Sequence, residues 1–185
     1  MEIGEFADRV GMLRSRTKFN FQDASELHRD VLFTEWKQLT RERGKVAPSD
    51  VLQQIADLGF SWRDVARMLG VSVPAVQKWR RGEGVTGTNR LKMASLLALC
   101  DMLAEHYAVH EVASWFEMPL IADCPVTPLD LYANQRQDLI FDCASSHADV
   151  EQVLNDYDAG WRERYASTFE VYEAADGDLA IRPKE

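Results

Sequence analysis

The chain has few cysteines, no long apolar run and no excess of positive charge. Its three cysteines, Cys100, Cys124 and Cys143, are odd in number and widely spaced, which favours reduced thiols in a cytoplasmic protein over a disulfide framework. No stretch approaches the roughly 20 apolar residues of a membrane span. The first ten residues contain acids and no apolar run, so we expect no secretion signal and no membrane partner.

Motifs for catalysis, cofactor binding and metal binding are also missing from the sequence. There is no G-x-S-x-G nucleophile motif and no dinucleotide-binding fingerprint, and no pair of carboxylates stands out from the general acidity. The glycine-rich stretch Gly82–Gly87 has no preceding strand and no Gly-Lys-Ser/Thr end, so it is not a phosphate-binding loop. His106 and His110 have the spacing of one helical face, but neither a following glutamate nor a cysteine pair supplies further ligands. We therefore expect no cofactor, no metal and no enzymatic activity.

The segment Ser61–Gly82, SWRDVARMLGVSVPAVQKWRRG, has the pattern of two short helices joined by a tight turn. Ala66 is small enough for the helices to approach closely, and Gly70 can take the positive φ that a turn requires. Ser72 can cap the second helix, with Pro74 in its first turn. The apolar positions suited to a shared core are Val65, Leu69, Val71, Val76 and Trp79. This is the spacing of a DNA-binding helix-turn-helix, whose second helix enters the major groove. An ordinary helical hairpin, or a helix-turn-helix kept for protein contacts, is the alternative.

The second helix of this pair carries the side chains that we predict to contact DNA. Gln77 and Lys78 point away from the apolar face, and they can pair with adenine and reach guanine acceptors, respectively. Arg80 and Arg81 at the helix end, and Arg90 with Lys92 after the glycine-rich loop, suit phosphate contacts. The predicted DNA-binding residues are Ser72, Pro74, Gln77, Lys78, Arg80, Arg81 and Arg90. Because one unit reads only a few base pairs, we expect a homodimer on a two-fold-symmetric double-stranded operator.

A net charge of −9 looks unfavourable for DNA binding, but the charge is unevenly distributed. Between Ser61 and Lys92 there are seven basic and two acidic residues, whereas Asp130–Asp178 contains twelve acidic and three basic residues. The first region suits a polyanion, and the second suits a basic partner. A solvated acidic surface with no partner is the simpler interpretation of the second region.

The remaining patterns predict a mainly α fold with a short β-hairpin at the C-terminal end. A capping box at Asp23–Glu26 opens a helix to about Arg43, and Thr127-Pro-Leu-Asp130 is another helix start. Further helices are predicted over Ser49–Leu58, Asn89–Tyr107, Val112–Met118, Gln135–Ala144 and Ala148–Asp158. Alternating residues on either side of Asp176-Gly177 predict the hairpin. The expected organisation is an N-terminal extension with one helix (1–47), a helix-turn-helix domain (48–108) and a C-terminal module (109–185).

Two segments taken together resemble a known family. The helix-turn-helix is followed by Ala113-Ser-Trp115, Pro119, Thr127-Pro-Leu-Asp130 and a short acidic helical module that ends at Gly160. Over about residues 49–160 this order resembles antitoxins of the Xre/MbcA/ParS type, including partners of RES-domain toxins. The resemblance implies an N-terminal unit that binds the promoter of its own operon and a C-terminal module that binds and inhibits a cognate protein toxin. The toxin-binding region that it implies contains Trp115, Pro119, Thr127, Pro128, Leu129 and Asp130.

The sequence departs from that family before the Thr-Pro motif. Family members usually carry a Leu-Gly-Gly-like turn where this chain has Ala122-Asp-Cys-Pro-Val126, and the first 45 and final 20 residues have no matching counterpart. By their residue types alone, Trp115, Leu129 and Leu131 are core positions rather than contact residues. The expected function is therefore that of an autorepressing antitoxin. The alternative is a stand-alone helix-turn-helix regulator whose C-terminal half dimerises or senses a ligand.

Overall fold

A computed structural model describes residues 27–122, 124–145, 149–166, 169–173 and 178–183. These residues form two compact units, one up to Val112 and one from Ala113. The helices of the first unit are α1 (27–43), α2 (Pro48–Asp57), α3 (Trp62–Leu69), α4 (Val73–Arg80) and α5 (Gly87–Tyr107). After them come α6 (Val112–Glu117), α7 (Pro128–Ala133), α8 (Gln137–Ser145), α9 (Val150–Tyr157), α10 (Trp161–Arg164), β1 (Phe169–Glu173) and β2 (Leu179–Pro183). The prediction of a mainly helical fold with a short C-terminal hairpin is confirmed.

Helices α2, α3 and α4 form a three-helix core that is covered by α5. Helix α2 packs against α4 and α5, and α3 packs against the same two helices. Ile55 of α2, Val65 of α3 and Val76 of α4 are each 0% exposed, so the three helices share one apolar interior. The burial of Val76 and Trp79 fixes which side of α4 faces outward.

The turn between α3 and α4 has the geometry that the sequence predicted. Gly70 takes the left-handed conformation at φ 66°, and its N–H donates to the carbonyl of Arg67. The N–H of Val71 donates to the carbonyl of Ala66 at 2.9 Å, which completes a Schellman motif. Ser72 caps α4 by accepting from the N–H of Ala75, with a proline in the first turn. The local interactions at the turn thus satisfy backbone groups that the two helix ends leave free.

Helix α1 packs along α5 rather than forming a separate extension. The indole Nε1 of Trp36 donates to the carbonyl of Ser95 at 2.9 Å. At the end of α1, the Arg43 guanidinium donates to the Asp101 carboxylate at 2.7–2.8 Å. Helix α1 and the helices that follow it to Val112 belong to one compact unit. The capping box predicted at Asp23–Glu26 lies outside the described residues.

Helix α5 begins two residues earlier than the sequence predicted. It begins at Gly87 instead of Asn89, because the Thr86 side chain accepts from the N–H of Asn89 and caps the helix. Gly87 thus belongs to the helix and not to the loop. The helix ends at Tyr107, followed by Ala108 at φ 53°, so His110 does not share a helical face with His106.

The second unit contains short helices around a small aromatic and aliphatic core. Thr127 and Asp130 form a capping box at the start of α7, where the sequence predicted a helix start. Phe116, Phe141 and Leu131 are at most 1% exposed. The next two helices begin two residues later than predicted. No sequence pattern predicted α10, whose Trp161 is buried.

The antiparallel hairpin pairs β1 with β2 in a simple register. Val171 lies opposite Ile181, and Phe169 lies opposite Pro183. The Asp176-Gly177 turn predicted between the strands lies outside the described residues. Because side chains alternate between the two faces of a strand, these four residues lie on one face of the hairpin.

Candidate nucleic-acid interface

The outward side of α4 carries the polar and basic side chains that the sequence assigned to DNA contact. Lys78 and Arg80 are exposed, and Gln77 is half-buried beside the apolar interior. Ser72 and Pro74 are exposed at the beginning of the helix, where free backbone N–H groups favour an anion. In the described part of the first unit, Lys78 forms no ion pair, so its ammonium group is available to a nucleic acid.

Arg80 is held in place by two neighbours. Its guanidinium lies 4.2 Å from the ring centroid of Trp62, the first residue of α3, and its Nη1 donates to Oε1 of Gln77 at 3.0 Å. The cation–π contact and the hydrogen bond together orient Gln77. The amide NH₂ of Gln77 remains a donor for the adenine N7 acceptor. Trp62 is the residue of this site that sequence reasoning missed, although an aromatic residue directly after the capping Ser61 was a usable signal.

Arg81 forms an ion pair with Glu83 at 3.0 Å, and the two side chains are 64% and 49% exposed. A pair this exposed is screened by solvent and salt, so it contributes little to stability. A DNA phosphate can compete for this guanidinium at low cost. The predicted phosphate contact at Arg81 is therefore compatible with its surroundings, and it stays a prediction.

Arg90 and Lys92 have roles inside the first unit that the sequence did not reveal. Nη2 of Arg90 donates to the carbonyl of Val46 at 3.1 Å, and Nζ of Lys92 donates to the carbonyl of Leu69 at 2.9 Å. Lys92 thereby satisfies a carbonyl at the end of α3, directly before the turn. Nε of Arg90 is buried and has no hydrogen-bond partner among the described residues, so this nitrogen is not positioned for a phosphate. The predicted DNA contact of Arg90 is otherwise not tested by this geometry and stays a prediction.

Most residues of the predicted toxin-binding region build the second unit instead of forming its surface. Pro128 and Leu129 are buried, and the Asp130 carboxylate accepts from the N–H and the hydroxyl of Thr127 at 2.9 Å. Trp115 is half-buried and contacts Phe116 edge-on, with ring centroids 5.5 Å apart. Pro119 is exposed. Direct contact between the predicted toxin-binding residues and a partner remains a prediction. The burial of Pro128 and Leu129 limits what these two residues can contribute to such a contact.

The hairpin presents the larger apolar surface of the second unit. Phe169, Val171, Leu179 and Ile181 are between 53% and 79% exposed, and the strand register places them on one face. Exposed apolar patches of this kind mark interaction sites more often than isolated apolar residues do. The alternating sequence pattern predicted the strands, but it could not show that both apolar rows face away from the protein core.

Each arginine in the described helices and helix connections of the second unit is paired with a carboxylate. Arg136, Arg162 and Arg164 form ion pairs with Asp138, Glu151 and Asp158, respectively. Other exposed acids, including Asp149, Asp156 and Glu163, have no such cationic partner among the described residues of the unit. The surface therefore keeps the negative potential that the composition predicted.

The cysteines and histidines of the described residues show no arrangement for catalysis or metal binding. Burial raises the pKa of the Cys100 thiol, and it raises the pKa of Cys143 to about 12. His106 lies 2.9 Å from the Glu35 carboxylate in a contact between α5 and α1. Across the described ranges, no group of three or more His, Cys, Asp or Glu residues could hold a metal ion. None of the helices described is long and apolar enough to span a bilayer.

Comparison with known families matches the helix-turn-helix. Residues 40–89 match the family model of the homeodomain-like domain, a range that runs from the end of α1 to the beginning of α5. No curated protein and no solved structure shows significant similarity to the chain. The chain thus contains a helix-turn-helix domain of the homeodomain-like kind, which supports DNA binding and a role in transcription regulation.

Proposed function

We propose that this protein is an antitoxin that represses its own operon through the helix-turn-helix and neutralises a basic protein toxin through its C-terminal unit. The observation that carries the proposal is the combination of two different surfaces on one chain. One is the cationic outer side of α4, and the other is an acidic unit with an exposed apolar hairpin. The protein is proposed to act in the cytoplasm without catalytic activity of its own.

The DNA-binding half of the proposal rests on the geometry of α4. Gln77, oriented by Arg80, is proposed to read a base, while Lys78 contributes either a guanine contact or a phosphate contact. Arg81 and Arg90 supply sequence-independent attraction to phosphates. A homodimer would place two copies of α4 in successive major grooves of a two-fold-symmetric operator.

The toxin-binding half rests on charge and on exposed apolar area. Complementary charge accelerates encounter with a basic partner, whereas buried apolar groups supply most of the affinity. The hairpin face offers those apolar groups, with Phe169 as its aromatic member. The resemblance to antitoxins of the Xre/MbcA/ParS type independently favours a toxin as the partner. Covering the toxin's active-site entrance is the simplest route to inhibition.

A paired rescue experiment tests both halves in cells that produce the product of the gene beside this one. The double variant Lys78→Ala/Arg81→Ala should still protect the cells but should lose repression of a reporter under the operon's promoter. The hairpin double variant Val171→Asp/Ile181→Asp should keep repression and lose protection. The matched control Leu27→Asp changes an exposed leucine outside both α4 and the hairpin, and it should leave protection and repression intact.

The outcomes separate the antitoxin from the stand-alone regulator. The antitoxin proposal would be refuted if a chain that ends before Glu111 still protected the cells. It would also be refuted if the product of the neighbouring gene failed to bind the full chain. The stand-alone regulator would then remain, and the family match, which covers only the DNA-binding domain, favours it as the second candidate. Loss of repression in the hairpin variant together with loss of protection would indicate a role of the hairpin in dimerisation.

A further inference from the structure

A groove runs between α1 and α5 of the first unit, at a place that the proposed function does not use. Its volume is about 520 Å³, which lies within the range of small-molecule sites. Helix α1 contributes Trp36, Lys37 and Arg41 to its lining, and α5 contributes Leu91 and Lys92. The groove therefore combines an apolar surface with three cationic side chains.

The apolar and cationic parts of the groove point to one class of ligand. The indole N–H of Trp36 is already bonded to the backbone of α5, so its ring presents mainly apolar surface. Leu91 is 53% exposed in the same groove. Within residues 27–122, neither Lys37 nor Arg41 forms an ion pair. Arginine binds carboxylates through two parallel hydrogen bonds, so an anion with an apolar body satisfies both parts of the lining.

One residue connects this groove to the helix-turn-helix. Lys92 lines the groove, and its Nζ donates to the carbonyl of Leu69 directly before Gly70. A carboxylate in the groove would compete for the same ammonium group. Withdrawal of Lys92 would leave that carbonyl without its side-chain donor and would loosen the turn that positions α4.

We propose that the groove binds a small organic carboxylate with an apolar body, and that the bound carboxylate weakens operator binding by drawing Lys92 away from the turn. This inference is independent of the toxin, because both the site and its effect lie in the first unit. Its ligand-binding half is also independent of DNA.

The probes are octanoate, as an apolar carboxylate, and 1-octanol, as its neutral counterpart. The indole N–H signal of Trp36 in the full-length protein, assigned by loss of the signal in Trp36→Phe, reports binding. Octanoate should shift this signal with a dissociation constant below about 1 mM, and 1-octanol should bind roughly tenfold more weakly. Arg41→Gln should weaken octanoate binding roughly tenfold. Lys45→Gln, which removes an exposed cation outside the groove, should not.

A DNA titration in the presence and in the absence of octanoate measures the effect on operator affinity. Saturating octanoate should reduce affinity for the operator duplex at least fivefold in the wild type and should have a clearly smaller effect in Arg41→Gln at the same concentration. Equal binding of octanoate and 1-octanol, or equal binding by wild type and Arg41→Gln, would overturn the ligand site. Octanoate binding without loss of DNA affinity would overturn the link through Lys92. A failure of the proposed toxin binding by the second unit would change neither the ligand-site result nor the result on DNA affinity.

Discussion

Gly70 offers a sharp test of the helix-turn-helix because its substitution separates backbone strain from steric clash. The residue lies at φ 66°, in the left-handed region that side chains with a Cβ rarely adopt. Its N–H and that of Val71 donate to carbonyls at the end of α3, so the turn cannot relax without losing hydrogen bonds. Gly70→Val should therefore destabilise the first unit and abolish operator binding.

The magnitude follows from the space around Gly70. A Cβ built there meets only Nζ of Lys92, at 3.8 Å, which is ordinary van der Waals contact. The cost is thus conformational, about 1–2 kcal/mol for alanine and up to about 3 kcal/mol for the β-branched valine. For a unit of this size, each kcal/mol corresponds to a fall in melting temperature of roughly 4–8 °C. Asparagine tolerates the left-handed region and should cost less than alanine.

Thermal unfolding and operator titration of Gly70→Asn, Gly70→Ala and Gly70→Val measure this order. Gly84→Val is the matched control, because Gly84 is exposed, has open space around it and does not have a positive φ. The control should retain its melting temperature and its operator affinity. Full operator affinity and an unchanged melting temperature in Gly70→Val would show that the turn at Gly70 does not determine the position of α4.

Three further predictions concern DNA readout, thiol reactivity and pH dependence. Gln77→Ala should reduce the binding free energy by about 1–3 kcal/mol on the preferred duplex only. Arg81→Ala should instead weaken binding to every duplex and reduce the salt dependence of binding. Equal losses for Gln77→Ala on preferred and scrambled duplexes would contradict a base contact. Because burial raises the pKa of Cys143 to about 12, a thiol reagent at about pH 8 should label it only in denaturant, and fast labelling of the folded protein would contradict this. Burial also raises the pKa of Asp101 against the opposing effect of Arg43. Wild type should therefore lose stability relative to Asp101→Asn as the pH rises above about 4 in urea titrations. A stability difference that grows in favour of wild type as the pH rises would show that the ion pair with Arg43 outweighs the effect of burial on Asp101.

The helix-turn-helix could be predicted because the residues that define it are close together in the sequence. Ser72 caps a helix through an N–H three residues away, and the Schellman motif at Gly70 joins residues only five apart. Such interactions depend on local residue types and spacing, which the sequence shows directly. The same reason explains the successful prediction of a helix start at Thr127–Asp130.

The roles of Arg90 and Lys92 could not be predicted, because their partners are distant in the sequence. Arg90 bonds to Val46, 44 residues away, and Lys92 bonds to Leu69, 23 residues away. From the sequence, a basic residue near a recognition helix is equally suited to a phosphate or to a backbone carbonyl. Only the packing of α5 across the three-helix core distinguishes these alternatives.

The position of the exposed apolar surface was the other limit of sequence reasoning. Trp115 and Leu129 were assigned to a binding region by resemblance, whereas Leu129 is 3% exposed and Ile181 of the hairpin is 72% exposed. Apolar residues contribute equally well to a core or to an exposed patch, and burial depends on the rest of the fold. Alternation predicts that a strand has an apolar face, but it does not predict what covers that face.

The separation of charge along the chain links the two proposed activities. With a net charge of −9, the free protein is repelled by DNA at long range, although charges more than about 8–10 Å apart are largely screened at physiological salt. A basic toxin bound to the acidic unit would neutralise part of this charge without occupying α4. The complex should therefore bind the operator more tightly than the free protein does, and the gain should shrink as salt concentration rises. By linkage, operator DNA should strengthen toxin binding by the same factor. Equal operator affinity of the free protein and the complex at low salt would show that the two surfaces act independently.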